Sequence, residues 1–387
     1  MKLASYTDQL KGKTFIFFIG HYYHLGGAEA AAIKLAKELK KRYNAQIIFV
    51  AGSETGKIKK DLDQLEFKTL YFKFDYKAKF YKKIPAYFKL IRLIRKHKAD
   101  FLLPYVAGNN KMVLPIWKYT GAKYAWWMQQ DEGRDLYKTP FEKRVIKMAS
   151  AIISNSEVGM DFINEAYDIP KSKMVHYNNV IEVPDKENLK PYWRQKLDID
   201  SNALIVSMVA NITPFKDHET LLKAWALVVK HFKQQKQSIY LLLAGQPKND
   251  TITELKLIGF DLNISESVRF LGGTDKTNEL IYESDLVVHS SLKEGCPNAV
   301  CEAMALEKAV VGTNIPGNAE ALTRTYESLC LAEPKNHTDL AKKIIFLLEH
   351  PNKQRVIGSF NKKRIIEHYN EEQMLEKITS SFVAHTN

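Results

Sequence analysis

The chain has 387 residues, 45% hydrophobic and 26% charged; these ordinary values exclude disorder over most of the length and favour two globular domains. Its three cysteines contain no CxxC pair, which argues against a zinc site or a disulfide framework and fits a reducing compartment. The first apolar run, 15–19, is too short to span a bilayer and no cleavage site follows it, so we expect a cytoplasmic protein.

Apolar runs alternate with helical patterns through the first half of the chain. The run at 14–20 predicts a buried strand, and 28–43 has helical spacing and ends in basic residues, as the C-terminus of a helix favours. Further strands are predicted at 46–52, 67–72, 100–104, 123–128 and 151–154. This alternation predicts a parallel, doubly wound sheet.

The loop after the first strand reads GHYYHLGGAEAAA at 20–32. Gly26 and Gly27 allow the backbone to approach a ligand closely at the start of a helix. His21 and His24 flank the diglycine and can orient a substrate. The pattern is not GxGxxG, so a nicotinamide-dependent enzyme is not indicated.

The excess of positive charge lies in the first half. Residues 1–184 carry 32 Lys and Arg against 18 Asp and Glu, whereas 185–387 carry 25 against 26, which predicts an anionic partner for the first half. Residues 71–100 interleave basic and apolar side chains and can lie on an anionic membrane surface. The alternative is a core helix with a solvated basic face. We expect no nucleic-acid partner, because no recognised nucleic-acid motif accompanies the segment.

Polar residues follow the strand predicted at 123–128, in YAWWMQQDEGRD. Gln130 and Asp131 are candidates for contacting a second substrate. Asp131 either activates a hydroxyl or caps a helix, and capping is the favoured interpretation. Trp126 and Trp127 must point to opposite faces of the strand, so we expect one of them to be exposed.

The alternation resumes in the second half. Strands are predicted at 203–210, 239–244, 268–271, 285–289, 309–312 and 328–332. Helices are predicted at 217–231, 276–283, 298–307 and 336–349, with two more in 351–385 that break near 368–370. A linker near 183–195 therefore separates two domains, 1–184 and 185–368. A last helix, 369–387, is expected to pack back on the first domain.

The segment DLVVHSSLKEGCPNAVCEAMA at 285–305 places two carboxylates, Glu294 and Glu302, around the start of a helix. Pro297 suits the first turn of a helix, and the free N–H groups there can bind a phosphate or a sugar hydroxyl. The carboxylates can accept hydrogen bonds from vicinal hydroxyls. Alone, this spacing would favour an alternative in which Glu294 caps the helix and Glu302 is a solvated helix residue.

A second strand–loop–helix segment, SMVANITPFKDHETLLKAWALV at 207–228, places Lys216 at a helix entrance. A lysine with a helix N-terminus behind it can neutralise a diphosphate. Asp217 or Thr213 can cap that helix.

Six segments in order over about 20–350 resemble glycosyltransferase family 4, the group 1 retaining glycosyltransferases. EGCPNAVCEAMA is similar to the family's E-x7-E signature, with Cys296 in place of the usual aromatic residue. The resemblance implies a GT-B fold, in which two Rossmann-like domains face a central cleft. Lys216 matches the family's phosphate-binding lysine, but Asn211 stands where the family has an arginine, and Arg269, His218 and Lys293 are the candidates to replace its charge.

The resemblance also implies site residues. Glu294 and Lys216 are the catalytic candidates. The implied donor-binding set is Gly26, Gly27, Asn211, Lys216, Gly245, Arg269, Leu271, Thr274, Glu294, Gly295, Cys296, Pro297, Asn298, Ala299 and Glu302. The acceptor-side candidates are His21, His24, Gln130 and Asp131.

The function implied is transfer of a sugar from a nucleoside-diphosphate sugar, with a UDP-sugar favoured, to a glycan or lipid-linked acceptor, as in cell-surface polysaccharide synthesis. No metal and no other cofactor is expected. The enzyme would be cytoplasmic and peripheral to the membrane through 71–100. Two alternatives stay open: a GT-B hydrolase, phosphorylase or epimerase, and a basic binding module without catalytic activity.

Overall fold

The computed structural model describes residues 10–23, 26–247 and 251–383. Contacts between Cα atoms divide the chain into two units, with one boundary after Val180 and a second after Asn370. The segment from Glu371 onwards therefore returns to the first unit. The family resemblance predicts two α/β domains, and each unit is built around one parallel sheet.

The sheet of the first unit has seven parallel strands in the order β3-β2-β1-β4-β5-β6-β7. The strands are β1 Thr14–Phe18, β2 Gln46–Ala51, β3 Lys68–Tyr71, β4 Phe101–Pro104, β5 Tyr124–Gln129, β6 Ala151–Ser154 and β7 Met174–His176. The helices within it are α1 Gly27–Tyr43, α2 Lys57–Gln64, α3 Phe80–Lys96, α4 Ala107–Val113, α5 Pro140–Met148 and α6 Glu157–Tyr167.

Both faces of this sheet are covered. Along β1, Phe15 and Phe17 pack in one core with α1 and α2, and the intervening Ile16 packs in the other with α3 to α6. Trp126 and Trp127 likewise point to opposite faces, but both are buried, at 2% and 0% exposure. The expectation that one of them is exposed is wrong, because helices cover each face of a parallel sheet.

The second unit has six parallel strands in the order β10-β9-β8-β11-β12-β13. The strands are β8 Leu204–Val209, β9 Ile239–Ala244, β10 Val268–Gly272, β11 Leu286–His289, β12 Val310–Thr313 and β13 Leu331–Ala332. The helices are α7 Trp193–Lys196, α8 His218–Gln234, α9 Thr251–Asp261, α10 Thr277–Glu283, α11 Asn298–Ala305, α12 Pro316–Leu322, α13 Glu327–Cys330, α14 His337–Glu349 and α15 Pro351–His368. The remaining helix, α16 Glu371–Val383, packs its Met374, Leu375 and Ile378 into the α1-side core of the first unit.

The predicted fold class is confirmed, because each unit is a parallel, doubly wound sheet with flanking helices. Two strands differ from the predictions. Strand β7 was not predicted, because three residues are too few to show a period. The strand predicted at 328–332 is wrong at its start, since Glu327–Cys330 form the helical turn α13 and only Leu331 and Ala332 pair with β12.

Within the described ranges, no helix combines the length and the apolar character needed to cross a bilayer. The basic segment 71–100 contains helix α3, which begins at Phe80 and has Pro85 within it.

Candidate functional site

Lys216 and Glu294 follow two neighbouring strands in the middle of the second sheet. β8 and β11 lie side by side, and β9 and β12 extend the sheet in opposite directions from them. The chain after β8 and the chain after β11 therefore lead away from each other. In open α/β sheets a crevice forms at such a point, beyond the carboxyl ends of the strands, and ligands bind there.

Hydrogen bonds from two buried serines join these loops. Ser291 Oγ donates to the carbonyl of Phe215 at 3.0 Å, and Leu292 N donates to the same carbonyl at 2.7 Å. Ser290 Oγ lies 3.2 Å from the carbonyl oxygens of Lys216 and Asp217. Both serines are fully buried. The backbone that carries Lys216 is thus fixed against the loop that carries Glu294.

Glu294 is the centre of a buried polar cluster. The ammonium of Lys216 pairs with its Oε1, and His289 Nε2 lies 2.7 Å from the same oxygen. Glu294 is 7% exposed and His289 2%. Because a carboxylate only accepts hydrogen bonds, His289 Nε2 carries the hydrogen of this bond. The structure thus brings together two candidates from the sequence, Lys216 and Glu294, and adds His289. His289 was not predicted, and its only sequence signal is a polar residue that ends a buried strand.

The cluster keeps Glu294 ionised. Burial alone would raise the pKa of Glu294, but the hydrogen bond from His289 and the charge of Lys216 lower it below its ordinary value. Burial, and then the charge of Lys216, lower the pKa of His289. The site therefore presents a carboxylate held between an ammonium and a neutral imidazole.

The start of α8 adds a second buried histidine. Asp217, at φ 46°, is the N-cap residue and accepts a hydrogen bond from Thr220 N, so Asp217 rather than Thr213 caps this helix. His218 is 3% exposed, and its Nδ1 has no hydrogen-bond partner among the described residues. Burial, with the neighbouring His289 and Lys216, lowers the pKa of His218 to about 4. His218 is consequently neutral at pH 7 and does not replace the charge of an arginine.

The loop after β12 supports the Glu294 loop from one side. Asn318 Nδ2 donates to the carbonyl of Thr313 at 3.0 Å and lies 3.4 Å from that of His289. A Cβ on Gly317 would lie 2.4 Å from the carbonyl oxygen of Glu294, so only glycine allows α12 to begin this close. These residues were also missed, although Pro-Gly-Asn after a buried strand is a recognisable turn signal.

Helix α11 begins where the sequence predicts, at Asn298, with Pro297 as its N-cap residue. The proline ring offers no oxygen to the first N–H groups of the helix, which leaves them for other partners. Gly295 is buried, whereas Asn298 and Ala299 are partly exposed. Glu302 lies in the second turn of α11 with a partly exposed side chain.

Hydrogen bonds also join the other loops at the carboxyl end of this sheet. The Asn211 side chain accepts a hydrogen bond from Gln246 N at 3.1 Å, so the residue at the family arginine's position joins two loops. Gly245 N donates to the carbonyl of Gly272 at 2.8 Å. At φ 154°, a Cβ on Gly245 would lie 2.0 Å from the carbonyl oxygen of Ala210. Glycine is therefore required here by backbone packing alone.

Arg269 is not brought to the cluster. It is the second residue of β10, at the end of the sheet opposite the loops. Its guanidinium donates to the carbonyl of Glu266 at 2.7 Å and lies over the ring of Tyr240. Leu271 and Thr274, in contrast, lie at the carboxyl end of β10 and just beyond it, and both are partly exposed.

In the first unit, the predicted site residues that the structure describes contact residues of the loops in which they lie. Gly26 is the N-cap residue of α1 and Gly27 its first residue, and the buried Glu29 folds back so that its Oε2 would lie 2.7 Å from a Cβ on Gly26. The ring of His21 lies 5.8 Å from that of Tyr23. His24 lies outside the described residues.

The Asp131 carboxylate forms a local turn. Its Oδ1 accepts hydrogen bonds from Gly133 N at 2.7 Å and Gln129 Nε2 at 2.9 Å, and burial raises its pKa. The side chain of Gln130 lies 3.3 Å from the hydroxyl of Tyr177. Asp131 therefore does not cap the following helix, whose N-cap residue is Thr139; its carboxylate accepts hydrogen bonds within its own turn instead.

Two further features bear on ligands. Among the described residues, no three His, Cys, Asp or Glu side chains are arranged to hold a metal ion. A hollow of about 500 Å³ lies elsewhere in the second unit, lined by residues that include Asn314, Glu333 and Lys342. Neither Lys216 nor Glu294 lines it.

Comparison with known proteins places these residues in a family context. Residues 190–364 match the model of the family described as glycosyl transferases group 1. The matched stretch lies within the second unit and contains Lys216, Glu294 and Glu302.

Two enzymes of Campylobacter jejuni are similar in sequence. One is an N,N'-diacetylbacillosaminyl-diphospho-undecaprenol alpha-1,3-N-acetylgalactosaminyltransferase, 29% identical over 43% of this chain and 40% of that enzyme. The other, 24% identical over 87% of this chain and 89% of that enzyme, is an alpha-1,4-N-acetyl-D-galactosaminyltransferase acting on a GalNAc-alpha-(1->4)-GalNAc-alpha-(1->3)-diNAcBac-PP-undecaprenol substrate. The match thus spans less than half the length of the first relative.

Among solved structures, HepE from Anabaena, in complex with UDP and glucose, superimposes with a TM-score of 0.82 at 19% identity. The superposition covers 96% of this chain and all of that chain. At this identity the likeness shows the fold. Together with the match to residues 190–364, it supports a group 1 glycosyltransferase.

Proposed function

We propose that this chain is a group 1 glycosyltransferase of the retaining, family 4 type, which transfers a sugar from a nucleoside-diphosphate sugar to a glycan or lipid-linked acceptor. The observation that carries the proposal is the meeting of Lys216, Glu294 and His289 where two central strands end. An ammonium beside an ionised carboxylate suits a ligand that carries both a diphosphate and sugar hydroxyls. The known structure with UDP and glucose favours a UDP-sugar as the donor.

Each end of the donor has a candidate partner in the second unit. The ammonium of Lys216 and the N–H groups at the starts of α8 and α11 would hold the diphosphate. Glu294 would accept hydrogen bonds from the transferred sugar, and Glu302 from the ribose. Because Lys216 pairs with Glu294, the diphosphate has to share the ammonium with this carboxylate or take it over. The positive charge that stabilises the leaving diphosphate is supplied by the protein, so the proposal requires no metal.

Lys293 is our candidate for the second cation. Asn211 joins loops, Arg269 lies at the far end of its strand, and His218 is neutral. Lys293 is exposed and adjoins Glu294 in the same loop. A flexible lysine there can reach a bound diphosphate as a point charge.

The first unit would contact the acceptor. We assign this role to the loops after β1 and β5, with His21 and Gln130 as contact residues and Gly26 and Gly27 allowing close approach of the backbone. The excess positive charge of residues 1–184 suits an acceptor that carries a lipid-linked diphosphate, the kind of group that the names of both Campylobacter relatives contain.

Helix α3 would hold the enzyme at the cytoplasmic face of a membrane. Tyr81, Ile84 and Phe88 follow one another at helical spacing and are 60%, 40% and 69% exposed. Lys89 and Arg92 are exposed nearby. Exposed apolar side chains bordered by basic ones are typical of helices that lie in the interface of an anionic bilayer. A role in cell-surface polysaccharide synthesis would follow from an acceptor embedded there.

The test has two parts. Calorimetric titration with UDP, GDP, ADP and TDP should identify one nucleotide that binds at micromolar concentration, and the matching sugar donors are then incubated with and without lipid-linked acceptors. Transfer that requires the acceptor and retains the α-configuration in the product, read by NMR, supports the proposal. Release of free sugar regardless of acceptor would indicate a hydrolase, and absence of nucleotide binding would refute the donor assignment.

A further inference from the structure

Two cysteines bracket the start of α11. Pro297 is the N-cap residue of this helix, so Cys296 stands one residue before the cap and Cys301 is the fourth residue of the helix. Side chains at these two positions commonly pack against each other and fix the direction from which the chain enters a helix, an arrangement called the hydrophobic staple. In this chain both members of the staple are cysteines.

The two cysteines belong to one packed cluster. Cys296 packs against the apolar cluster that contains Cys301, and its interaction with Cys301 is the largest cause that raises the pKa of the Cys301 thiol. Cys301 is fully buried, whereas Cys296 is half-buried. Cys296 is therefore the more accessible of the two residues to a small reagent.

The pair lies within the segment that carries both predicted donor carboxylates. Cys296 is two residues after Glu294, and Cys301 immediately precedes Glu302. The family pattern that this segment resembles has an aromatic residue at position 296, so the thiol pair is a departure of this chain. A covalent link here would fix the geometry of the backbone between the two carboxylates.

We propose that Cys296 and Cys301 form a reversible disulfide that locks the entry of α11 and lowers sugar transfer. The part of this inference that concerns transfer depends on the proposed function, whereas the formation of the disulfide does not.

The oxidant is a low-molecular-weight disulfide such as oxidised glutathione. The thiolate of Cys296 attacks one of its sulfurs, forms a mixed disulfide and releases one glutathione thiolate. Cys301 then loses its proton and attacks the sulfur of Cys296, which forms the protein disulfide and releases the second glutathione. Two protein thiols are oxidised and one small disulfide is reduced to two thiols.

Accessibility sets the order of attack. Cys301 is fully buried, and its interaction with Cys296 and then burial raise its pKa well above the ordinary value. Cys301 is thus a poor first nucleophile. It is, however, positioned to resolve a mixed disulfide on Cys296.

Disulfide formation shortens the separation of the two sulfurs to about 2.05 Å. This draws Cys296, and with it the loop that carries Glu294, towards the helix. Displacements of about 1 Å in a site can reduce turnover by as much as 10²-fold. We expect transfer to fall about 10-fold on oxidation, with full recovery in dithiothreitol.

The experiment treats the full-length protein with oxidised glutathione, alkylates the remaining thiols after denaturation and maps the peptides. We expect a Cys296–Cys301 link, with Cys330 as the alkylated cysteine. Cys330→Ala is the matched control, because Cys330 is also buried but lies on another element; it should form the same link. Cys301→Ala should instead retain glutathione on Cys296.

Peptide mapping needs no sugar donor, so its result is independent of the proposed function. Three alkylated cysteines after treatment, or a link that includes Cys330, would overturn the inference. Each variant's transfer is then compared with its own reduced form. A loss on oxidation in Cys330→Ala but not in Cys301→Ala supports the effect on transfer, whereas an unchanged rate in fully linked protein would refute it.

Discussion

The two units share one topology but use the polar residues at their strand ends differently. In the first unit, Asn109 donates its amide to the carbonyls of Phe18 and Tyr105, which ties the chain after β4 to the end of β1. In the second unit, at the equivalent reversal of strand order, the side chains of Lys216 and Glu294 bind each other. The hydrogen bonds of Asn109 fix the backbone, whereas the ion pair of Lys216 and Glu294 consists of two charges that a ligand can bind.

This difference indicates where chemistry can occur. A side chain that satisfies buried backbone groups cannot leave them without a cost of about 1–3 kcal/mol per group. An ion pair at a strand end, by contrast, can exchange partners with a ligand that carries the same charges. We therefore expect substitutions of the polar residues at the strand ends of the second unit to affect activity. Substitutions of those in the first unit should affect the folded structure of the loops.

The largest effect is expected for Glu294→Gln. This change keeps the size of the side chain but removes the charge that pairs with Lys216, and turnover should fall about 10²–10³-fold, as when one preorganised group is removed from an active site. Glu349→Gln is the matched control, because Glu349 also lies 2.7 Å from a histidine Nε2, that of His231, but on an exposed surface. Equal turnover in both variants would contradict the assignment.

The buried His218 should make stability depend on pH. Its pKa is lowered from 6.5 to about 4, so the unfolded chain binds more protons between these values. Its contribution is complete above about pH 6.5 and is lost as the pH falls towards 4, an expected decrease of about 3 kcal/mol in the free energy of unfolding. His289, whose pKa is also lowered, acts in the same direction.

Glu294 does not account for this window, because its lowered pKa costs stability only below the unfolded value of about 4.3. Urea unfolding of the wild type and of His218→Gln at several pH values measures the dependence. The slope should be shallower in His218→Gln than in the wild type. Parallel slopes for the two proteins would show that His218 is not buried as a neutral group.

A smaller effect is expected for the second cation. Lys293→Ala should weaken binding of the nucleoside diphosphate about 10-fold, equivalent to about 1.4 kcal/mol, because it removes a charge that adjoins Glu294. Arg269→Gln should change the affinity less than about 2-fold, since this guanidinium binds carbonyls at the start of β10. Calorimetry distinguishes the two, and the reverse order would show that Arg269 reaches the ligand.

The smallest effect is expected in the first unit. Asp131→Asn should leave turnover within about 3-fold of the wild type, because the carboxylate accepts hydrogen bonds from its own turn. General-base catalysis typically contributes 10²–10⁴-fold. Steady-state kinetics at saturating acceptor therefore distinguishes a residue that stabilises the turn from a general base. A loss of about 10²–10⁴-fold in turnover would show that Asp131 acts as the general base.

Much of the fold could be predicted because its signals are local. Buried strands such as Thr14–Phe18 are continuous apolar runs, and the start of α11 is marked by Gly295 and Pro297. Lys216 and Glu294 could be singled out by their positions after strands, together with the family resemblance. Signals of both kinds depend only on the order of elements along the chain.

The supporting contacts could not be predicted, because they depend on which loops become neighbours. In the sequence, His289 is only the last residue of a strand, and its contact with Glu294 is seen only in the structure. Asn211 stands in the sequence where the family has a cation, and its hydrogen bond from Gln246 N is likewise seen only in the structure. Arg269 was misplaced because it lies near the amino end of β10, whereas the site lies beyond the carboxyl ends of the strands.

The central claim is that Lys216 binds the diphosphate of the donor. The most direct measurement is calorimetric titration of the preferred nucleoside diphosphate into the wild type, Lys216→Met and the control Lys223→Met, which removes an exposed ion pair one turn into α8. Charged hydrogen bonds contribute about 1.5–3 kcal/mol, so Lys216→Met should bind at least about 10-fold more weakly while Lys223→Met matches the wild type. Identical dissociation constants in all three folded proteins would contradict the account.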